Sequence, residues 1–209
     1  MLNNLSIVAQ LSGDLDEADR LAAQAQETFE ALGLDYGVMV QLHNRGLIAL
    51  HAREFERARG LLERAAAEAE RLGSDVSYGN SMCDLGILAL SEGRTEDAVP
   101  FFCEALASAL RSGWRINVAY ALRGLSSVLA ARGELTAAAR VLGAALTVQE
   151  ETGEVLQGYA VTPFEAASAP VRASLDDPEI AAAYAAGTAM RYDDAAAYAL
   201  GAVAESAPH

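Results

Sequence analysis

The side chains that could do chemistry are few and widely spaced. The chain has three histidines, His43, His51 and His209, and two cysteines, Cys83 and Cys103. His43 and His51 lie eight residues apart, which is about 12 Å along a helix, so they cannot share a metal ion. No HExxH, G-x-S-x-G, GxGxxG or P-loop pattern occurs. We therefore predict no catalytic site, no metal site and no bound cofactor.

Two pairs of adjacent carboxylates, Asp176-Asp177 and Asp193-Asp194, are the remaining candidates for acid–base chemistry. Each pair stands where a helix is expected to begin. Carboxylates are favoured there because they accept hydrogen bonds from unpaired backbone N–H groups and interact with the positive end of the helix dipole. We interpret both pairs as helix caps. The cysteines lack metal-ligand spacing, and we interpret them as buried free thiols.

Composition and charge exclude several classes of function. Fifteen basic residues against 29 acidic ones give a formal net charge of −14. Such a surface repels phosphate backbones, so direct binding to nucleic acid is not expected. No apolar run reaches the roughly 18 residues that a transmembrane helix needs, and the amino-terminal residues lack the basic start of a signal peptide. We expect a cytoplasmic protein without membrane contact.

A 40-residue repeat organises the first 153 residues. Each unit has a small residue, a turn position, two alanines and a closing glycine, always at the same spacing. In that order the columns are Ser6, Gly46, Gly86 and Ser126; Gly13, Arg53, Gly93 and Gly133; Ala18, Ala58, Ala98 and Ala138; Ala25, Ala65, Ala105 and Ala145; and Gly33, Gly73, Gly113 and Gly153. This period predicts stacked helix-turn-helix units, because one such unit cannot bury its own apolar face.

The columns also predict how each unit folds. The small residue and the alanines let two helices approach closely, and the glycine between them takes the backbone conformation that ends a helix. We predict an all-α, right-handed superhelix of four repeats. The repeats are predicted at residues 1–33, 34–73, 74–113 and 114–153.

Residues 154–209 break the period and are predicted to form a C-terminal helical cap that covers the apolar face of the fourth repeat. Helices in this cap are predicted to begin at Pro163, at Pro178 and near Tyr192, and the end from Ser206 is predicted to be disordered. The first helix of the array is short. Either the chain begins there or it is a fragment of a longer array, and we expect a fragment because arrays need polar terminal repeats.

The pattern small-x6-Gly-x4-Ala-x6-Ala resembles the tetratricopeptide (TPR) repeat, with its period of about 34 residues lengthened to 40. HEAT repeats share the longer period but are not expected to keep this spacing. Residues 111–200 look like the last TPR unit of large actinobacterial LuxR-type and SARP/AfsR-like regulators with a STAND-type ATPase domain. The residues that carry this resemblance are Arg111-Ser-Gly-Trp-Arg, Ala119-Tyr-Ala-Leu-Arg-Gly-Leu, Ala137-Ala-Ala-Arg-Val-Leu-Gly-Ala-Ala and the tail from Ala183 to Leu200.

The resemblance implies that the first helix of each repeat lines a concave groove. Positions one helical turn from the small residue combine apolar side chains with hydrogen-bonding tips, the mix expected of a peptide or small-molecule site. The predicted groove residues are Asn3, Ile7, His43, Asn44, Leu47, Cys83, Asp84, Ile87, Tyr120, Arg123 and Ser127. The lysine-rich clamp with which chaperone-binding TPRs grip a C-terminal carboxylate is missing from these columns.

Three hypotheses for the function follow. The first is a non-catalytic scaffold that binds a protein or peptide in the groove, as the sensor or interaction region of a transcriptional regulator. The second is a sensor of a small-molecule effector, which a deep pocket where His43, Asp84 and Arg123 converge would favour. The third is self-association as a homodimer through the cap or the first repeat. Trp114, at a junction between repeats, either anchors the groove rim or packs between repeats.

Overall fold

The computed structural model describes residues 2–153, 155 and 158–207, and it confirms the predicted all-α repeat fold. None of the described residues lies in a β-strand. The helices are α1 Leu2–Leu11, α2 Leu15–Ala31, α3 Asp35–His51, α4 Phe55–Arg71, α5 Asp75–Ser91, α6 Ala98–Ser112, α7 Arg115–Ala131, α8 Leu135–Thr152, α9 Gly158–Ala173, α10 Pro178–Thr188 and α11 Tyr192–Glu205. Pro208 and His209, part of the predicted disordered end, lie outside the described residues.

Helices α1 to α8 form four successive pairs, and each second helix also packs against the first helix of the next pair. The close approach within a pair depends on the small-residue column. The Ser6 hydroxyl donates a hydrogen bond of 2.8 Å to the backbone carbonyl of Ala18, and Ser126 donates one of the same length to Ala138. Ala18 and Ala138 are fully buried. In the first and fourth repeats, the two columns therefore meet at the helix crossing.

The turn and closing glycines all have positive φ, between 65° and 85°. Arg53 occupies the turn position of the second repeat and is the one non-glycine among the described residues with positive φ, at 60°. Its guanidinium carbon lies 5.3 Å from the centre of the Phe55 ring. The side chain thus makes a contact at a backbone conformation that favours glycine.

Replacing Arg53 by glycine is expected to raise the free energy of unfolding by about 0.5–1 kcal/mol. The left-handed conformation costs a residue with a Cβ roughly 1–2 kcal/mol, and loss of the exposed cation–π contact offsets about half of that gain. Urea denaturation measures the change. Arg53→Ala is the control, because it loses the contact and keeps the strained φ. An Arg53→Gly protein no more stable than Arg53→Ala would contradict the expectation.

Helix α7 is the centre of the carboxyl-terminal half. It packs against α5, α6, α8, α9 and α11, and every residue from Asn117 to Ala130 is buried. A helix that is enclosed on all sides has no solvent-facing polar side, so its sequence does not show the single apolar stripe of an amphipathic helix. The groove face of α7 is therefore covered by another part of the same chain.

The covering helix is α9, which differs from the prediction. It begins at Gly158 and not at Pro163, so Pro163 lies inside the helix. A proline in the second turn removes one backbone hydrogen bond, which packing against neighbours can outweigh. Helix α9 also reaches beyond the fourth repeat, because it packs against α5 and α3 as well as α7 and α8. Helix α9 thus packs against the fourth repeat, as predicted for the cap, and extends further onto the second and third repeats.

The other two cap helices begin where the sequence predicted. The Asp177 carboxylate caps α10 by accepting hydrogen bonds from the backbone N–H groups of Glu179 and Ile180. Asp193 and Asp194 lie in the first turn of α11. Helix α10 packs closely along α8, and α11 lies against α7 and α8. The interpretation as helix caps is confirmed for Asp177 and was wrong for Asp193 and Asp194, which lie inside the first turn of α11, where the structure shows no capping hydrogen bond from the N-cap side chain.

Candidate ligand groove

The TPR resemblance assigns the first helices of the repeats to a concave face. Helix α9 packs against three of these first helices, α3, α5 and α7. The side chains of α9 that are buried there recur every three or four residues. They are Ala160, Phe164, Ser168 and Val171. The spacing makes one stripe along α9 that faces α7, α5 and α3.

Phe164 of α9 enters an aromatic socket. Its ring centre lies 6.3 Å from that of Phe102 and 6.1 Å, edge to face, from that of Tyr120. Phe102 comes from α6 and reaches the groove between α5 and α7. It fits only because Gly86 and Gly124 lack side chains, since a Cβ at these positions would lie 2.7 Å and 2.3 Å from its ring atoms. The absence of side chains at the two glycines therefore allows the Phe102 ring to reach the groove from α6.

Arg123 lies beside this socket and is only 5% exposed. Its guanidinium carbon is 5.3 Å from the centre of the Phe164 ring. One terminal nitrogen donates a hydrogen bond of 3.0 Å to the Gln149 side-chain carbonyl, while Nε has no hydrogen-bond partner. Burial lowers the pKa of Arg123, and the positive charge of Arg172 lowers it further. In the part of the chain that the structure describes, no carboxylate forms an ion pair with this guanidinium.

Asp84 of α5 joins three helices through its two oxygens. One oxygen lies 2.8 Å from Nε2 of His43 on α3, and the other accepts a hydrogen bond of 3.0 Å from the Tyr159 hydroxyl on α9. Burial raises the pKa of Tyr159 well above its usual value, and the negative charge of Asp84 raises it further. Burial likewise raises the pKa of the adjacent Cys83 thiol. Both groups therefore stay neutral at ordinary pH.

The Tyr159 hydrogen bond gives an expectation for alkaline pH. Tyr159→Phe is expected to lower stability by about 1 kcal/mol near neutral pH. Because the pKa is raised in the folded chain, the contribution is fully present below the unfolded pKa of about 10 and is lost as pH rises through the folded value. The stability gap between the two proteins, measured by urea denaturation, should shrink above about pH 10. A gap that stays constant across this range would contradict the assignment.

The predicted groove residues fall into two sets. Six are buried in the carboxyl-terminal half: Cys83, Asp84, Ile87, Tyr120, Arg123 and Ser127. Five are partly or largely exposed in the amino-terminal half: Asn3, Ile7, His43, Asn44 and Leu47. The division follows α9, because the buried set lies on α5 and α7, against which this helix packs.

Contacts join some of these residues and leave others apart. His43 meets Asp84, and the Asn3 side-chain oxygen accepts a hydrogen bond of 2.9 Å from Asn44. Ile87 is fully buried in the core, and the Ser127 hydroxyl donates to the carbonyl of Arg123 in its own helix. Neither of these two side chains is available to a ligand in this arrangement.

The pocket where His43 and Asp84 meet has a volume of about 150 Å³. Small-molecule sites typically measure roughly 300–1,000 Å³. Arg123 does not line this pocket, so the three residues named for a small-molecule site do not converge. A larger cleft of about 600 Å³ lies between α9 and the ends of α3 and α5, lined by His51, Phe55, Leu90, Thr95, Pro163 and Ala166 among others.

The described residues contain no group of three or more His, Cys, Asp or Glu side chains that could hold a metal ion. None of their helices combines the length and the apolar character that crossing a bilayer requires. Trp114, at the start of α7, is 42% exposed.

A known repeat family matches the part of the chain that forms the second and third helix pairs. Residues 38–111 match the tetratricopeptide repeat family. This match supports a TPR domain, and it runs from α3 into α6. TPRs generally mediate protein–protein interactions. A comparison with curated proteins found no match.

Sequence reasoning missed the residues that fill the candidate groove. Phe102 lies on the second helix of its repeat, where the TPR pattern assigns no contact with the groove. In the sequence, only the pair Gly86 and Gly124 indicates that its ring can reach the groove. Phe164 and Tyr159 lie beyond the repeats, although the stripe that contains Phe164 was readable from its spacing. The family match ends at residue 111, so it gives no information about α9.

Proposed function

We propose that the chain is a non-catalytic TPR scaffold that binds a protein or peptide on its concave face. The observation that carries this proposal is that the face already holds one helix, α9, through a buried aromatic anchor and a hydrogen bond from Tyr159. This is the helix-in-groove mode of recognition, in which an amphipathic helix lays its apolar stripe into a groove. The TPR match adds support, because such repeats generally mediate protein interactions.

The finer role is the sensor or interaction region of a transcriptional regulator. It is supported by the resemblance of residues 111–200 to the last TPR unit of LuxR-type and SARP/AfsR-like regulators. In such a protein the groove would relay binding of a partner to an ATPase or DNA-binding domain. The net charge of −14 is compatible with a protein partner and opposes direct contact with nucleic acid.

The test uses the amino-terminal half of the groove, where Asn44 is partly exposed. A photo-crosslinking amino acid at Asn44 is expected to capture one discrete protein in cells of the native source. The matched control is the same amino acid at Glu63, which is exposed on the second helix α4. Equal capture from both positions, or capture from Glu63 alone, would overturn a groove-based function.

Self-association is a second candidate, favoured by the outward face of α1. Val8 is 61% exposed, whereas its counterparts Ile48, Leu88 and Val128 in the later repeats are buried. Leu11 on the same helix is also largely exposed. Exposed apolar side chains that lie next to each other are typical of an interaction surface.

A homodimer through this face is expected to form with rising concentration, as light scattering after gel filtration would show. The double substitution Val8→Glu and Leu11→Glu should keep the chain monomeric. The control Glu63→Gln, on an exposed position of α4, should leave dimer formation unchanged. A monomer at all concentrations would reject this second candidate.

A further inference from the structure

We propose that α9 is a built-in occupant of the groove that a partner helix displaces. The displacing helix carries an aromatic residue followed four positions later by a carboxylate. This proposal rests on the proposed function and specifies the chemistry of the partner. It follows from how α9 is held, from what weakens α9 as a helix and from what α9 leaves unsatisfied in the groove.

Helix α9 is held like a bound ligand. Its buried stripe meets α7, α5 and α3, while Glu165, Ala166, Ala169 and Arg172 on its opposite side are exposed. Phe164 fills the socket formed by Phe102 and Tyr120. An amphipathic helix with one central aromatic anchor is the form in which separate peptides bind such grooves. Another helix with the same stripe would occupy the same surface.

Helix α9 is also a poor helix in its own right. Pro163 and Pro170 both lie inside it, and each removes a backbone hydrogen bond. The segment is 16 residues long, close to the length of about 12–15 residues below which isolated helices are marginal in water. The groove therefore supplies much of the stability of α9. A partner helix without internal prolines would bind without this penalty.

Helix α9 leaves one buried hydrogen-bond donor of the groove without a partner. Arg123 is buried against Phe164 with its Nε unpaired, and its one side-chain hydrogen bond goes to the neutral Gln149. A buried guanidinium is strongly stabilised by a carboxylate, which forms shorter and stronger hydrogen bonds than a neutral acceptor. Within the described chain α9 offers no such group, because Glu165 pairs with Arg172 at 3.8 Å on the outer surface.

We place the partner's carboxylate at the position that Ser168 occupies in α9. It is the next buried residue of α9 after Phe164, and its hydroxyl donates to the Phe164 carbonyl within the helix. Both charged residues of α9 that act on Arg123, Glu165 and Arg172, flank this position. An aspartate here would lie one turn from the aromatic anchor, on the same face. The groove thus selects an aromatic-x-x-x-acidic helix over the sequence of α9 itself.

The experiment uses three fluorescein-labelled peptides and the full chain. The first peptide has the sequence of residues 158–173 with Pro163→Ala and Pro170→Ala. The second adds Ser168→Asp, and the third adds Phe164→Ala to the second. Fluorescence anisotropy should give about tenfold tighter binding for the second peptide than for the first, and no binding for the third. Arg123→Gln in the protein should abolish the difference between the first two peptides.

Displacement itself is tested with proteins in which α9 is loosened. Phe164→Ala in the full chain is expected to tighten binding of the second peptide by about tenfold or more, because less of α9 competes. Should that variant lose its helical circular dichroism, Tyr159→Phe replaces it, with a smaller gain of about threefold.

Equal affinity of the first two peptides would overturn the proposal, and so would the lack of any gain in peptide affinity when α9 is loosened. The absence of any peptide binding would also overturn it. The proposed function would survive these failures, because its test at Asn44 does not require α9 to leave. Capture at Asn44 that does not exceed capture at Glu63 would instead reject the proposed function.

Discussion

Replacing Gly187 by alanine is expected to detach α10 from α8 and to lower the free energy of unfolding by about 3 kcal/mol. A Cβ at Gly187 would lie 2.0 Å from the backbone oxygen of Arg140 and 3.1 Å from the backbone nitrogen of Ala144. Backbone atoms cannot rotate away as a side chain can, so one helix must move. Gly143 on α8 faces α10 in the same way, because a Cβ there would lie 2.3 Å from the backbone oxygen of Tyr184. The crossing thus depends on a glycine from each helix.

Gly201→Ala is the matched control for this substitution. Gly201 lies inside α11, and a Cβ there would meet nothing within 4 Å. Alanine at this position should raise the free energy of unfolding by about 0.5–1 kcal/mol, because glycine is a poor helix former. Thermal and urea unfolding followed by circular dichroism compare the two variants. The changes in the free energy of unfolding of the two variants are expected to have opposite signs. A Gly187→Ala protein as stable as the wild type would show that α10 does not lie so close to α8.

Replacing Phe102 by alanine is expected to lower the free energy of unfolding by about 3–5 kcal/mol. The ring is fully buried and fills the space between Gly86 and Gly124. It also contacts Phe164, so its loss should loosen α9 together with the core. Limited proteolysis in α9 and urea denaturation give the two readouts.

Phe101→Ala is the control, because Phe101 precedes Phe102 on the same helix and is only partly buried. This substitution should lower the free energy of unfolding clearly less than Phe102→Ala does, and it should leave α9 protected from proteolysis. A second comparison uses Gly124→Ala, which places a Cβ 2.3 Å from the Phe102 ring. Combining it with Phe102→Leu should recover part of the lost stability. Additive effects of these two substitutions would mean that the ring does not pass between the glycines.

The repeat body was readable from the sequence because its signals are local. The 40-residue step of Ser6, Gly46, Gly86 and Ser126 reports a helix crossing that recurs at every unit. The glycine at a turn reports a positive φ, and even the exception, Arg53, keeps that conformation. Helix type, pairing and turn geometry therefore followed from spacing alone.

The groove was harder to predict because its contents come from distant parts of the chain. Tyr159 reaches Asp84 across 75 positions, and no periodicity links them. The repeat spacing predicted that Arg123 lies on the concave face. It contains no information on Phe164, whose ring covers the Arg123 guanidinium. Proline rules also pointed the wrong way, since Pro163 suggested a helix start and lies within α9. Tertiary packing decided both outcomes.

The central claim is that the concave face is a helix-binding groove in which α9 is a separable occupant. Amide hydrogen exchange of the full chain, with and without the Pro163→Ala, Pro170→Ala, Ser168→Asp peptide, tests it most directly. Residues 158–173 should exchange through local opening faster than residues 117–130 of α7. Excess peptide should speed exchange in α9 further while α7 stays protected. Equal protection of α9 and α7, unchanged by the peptide, would contradict the account.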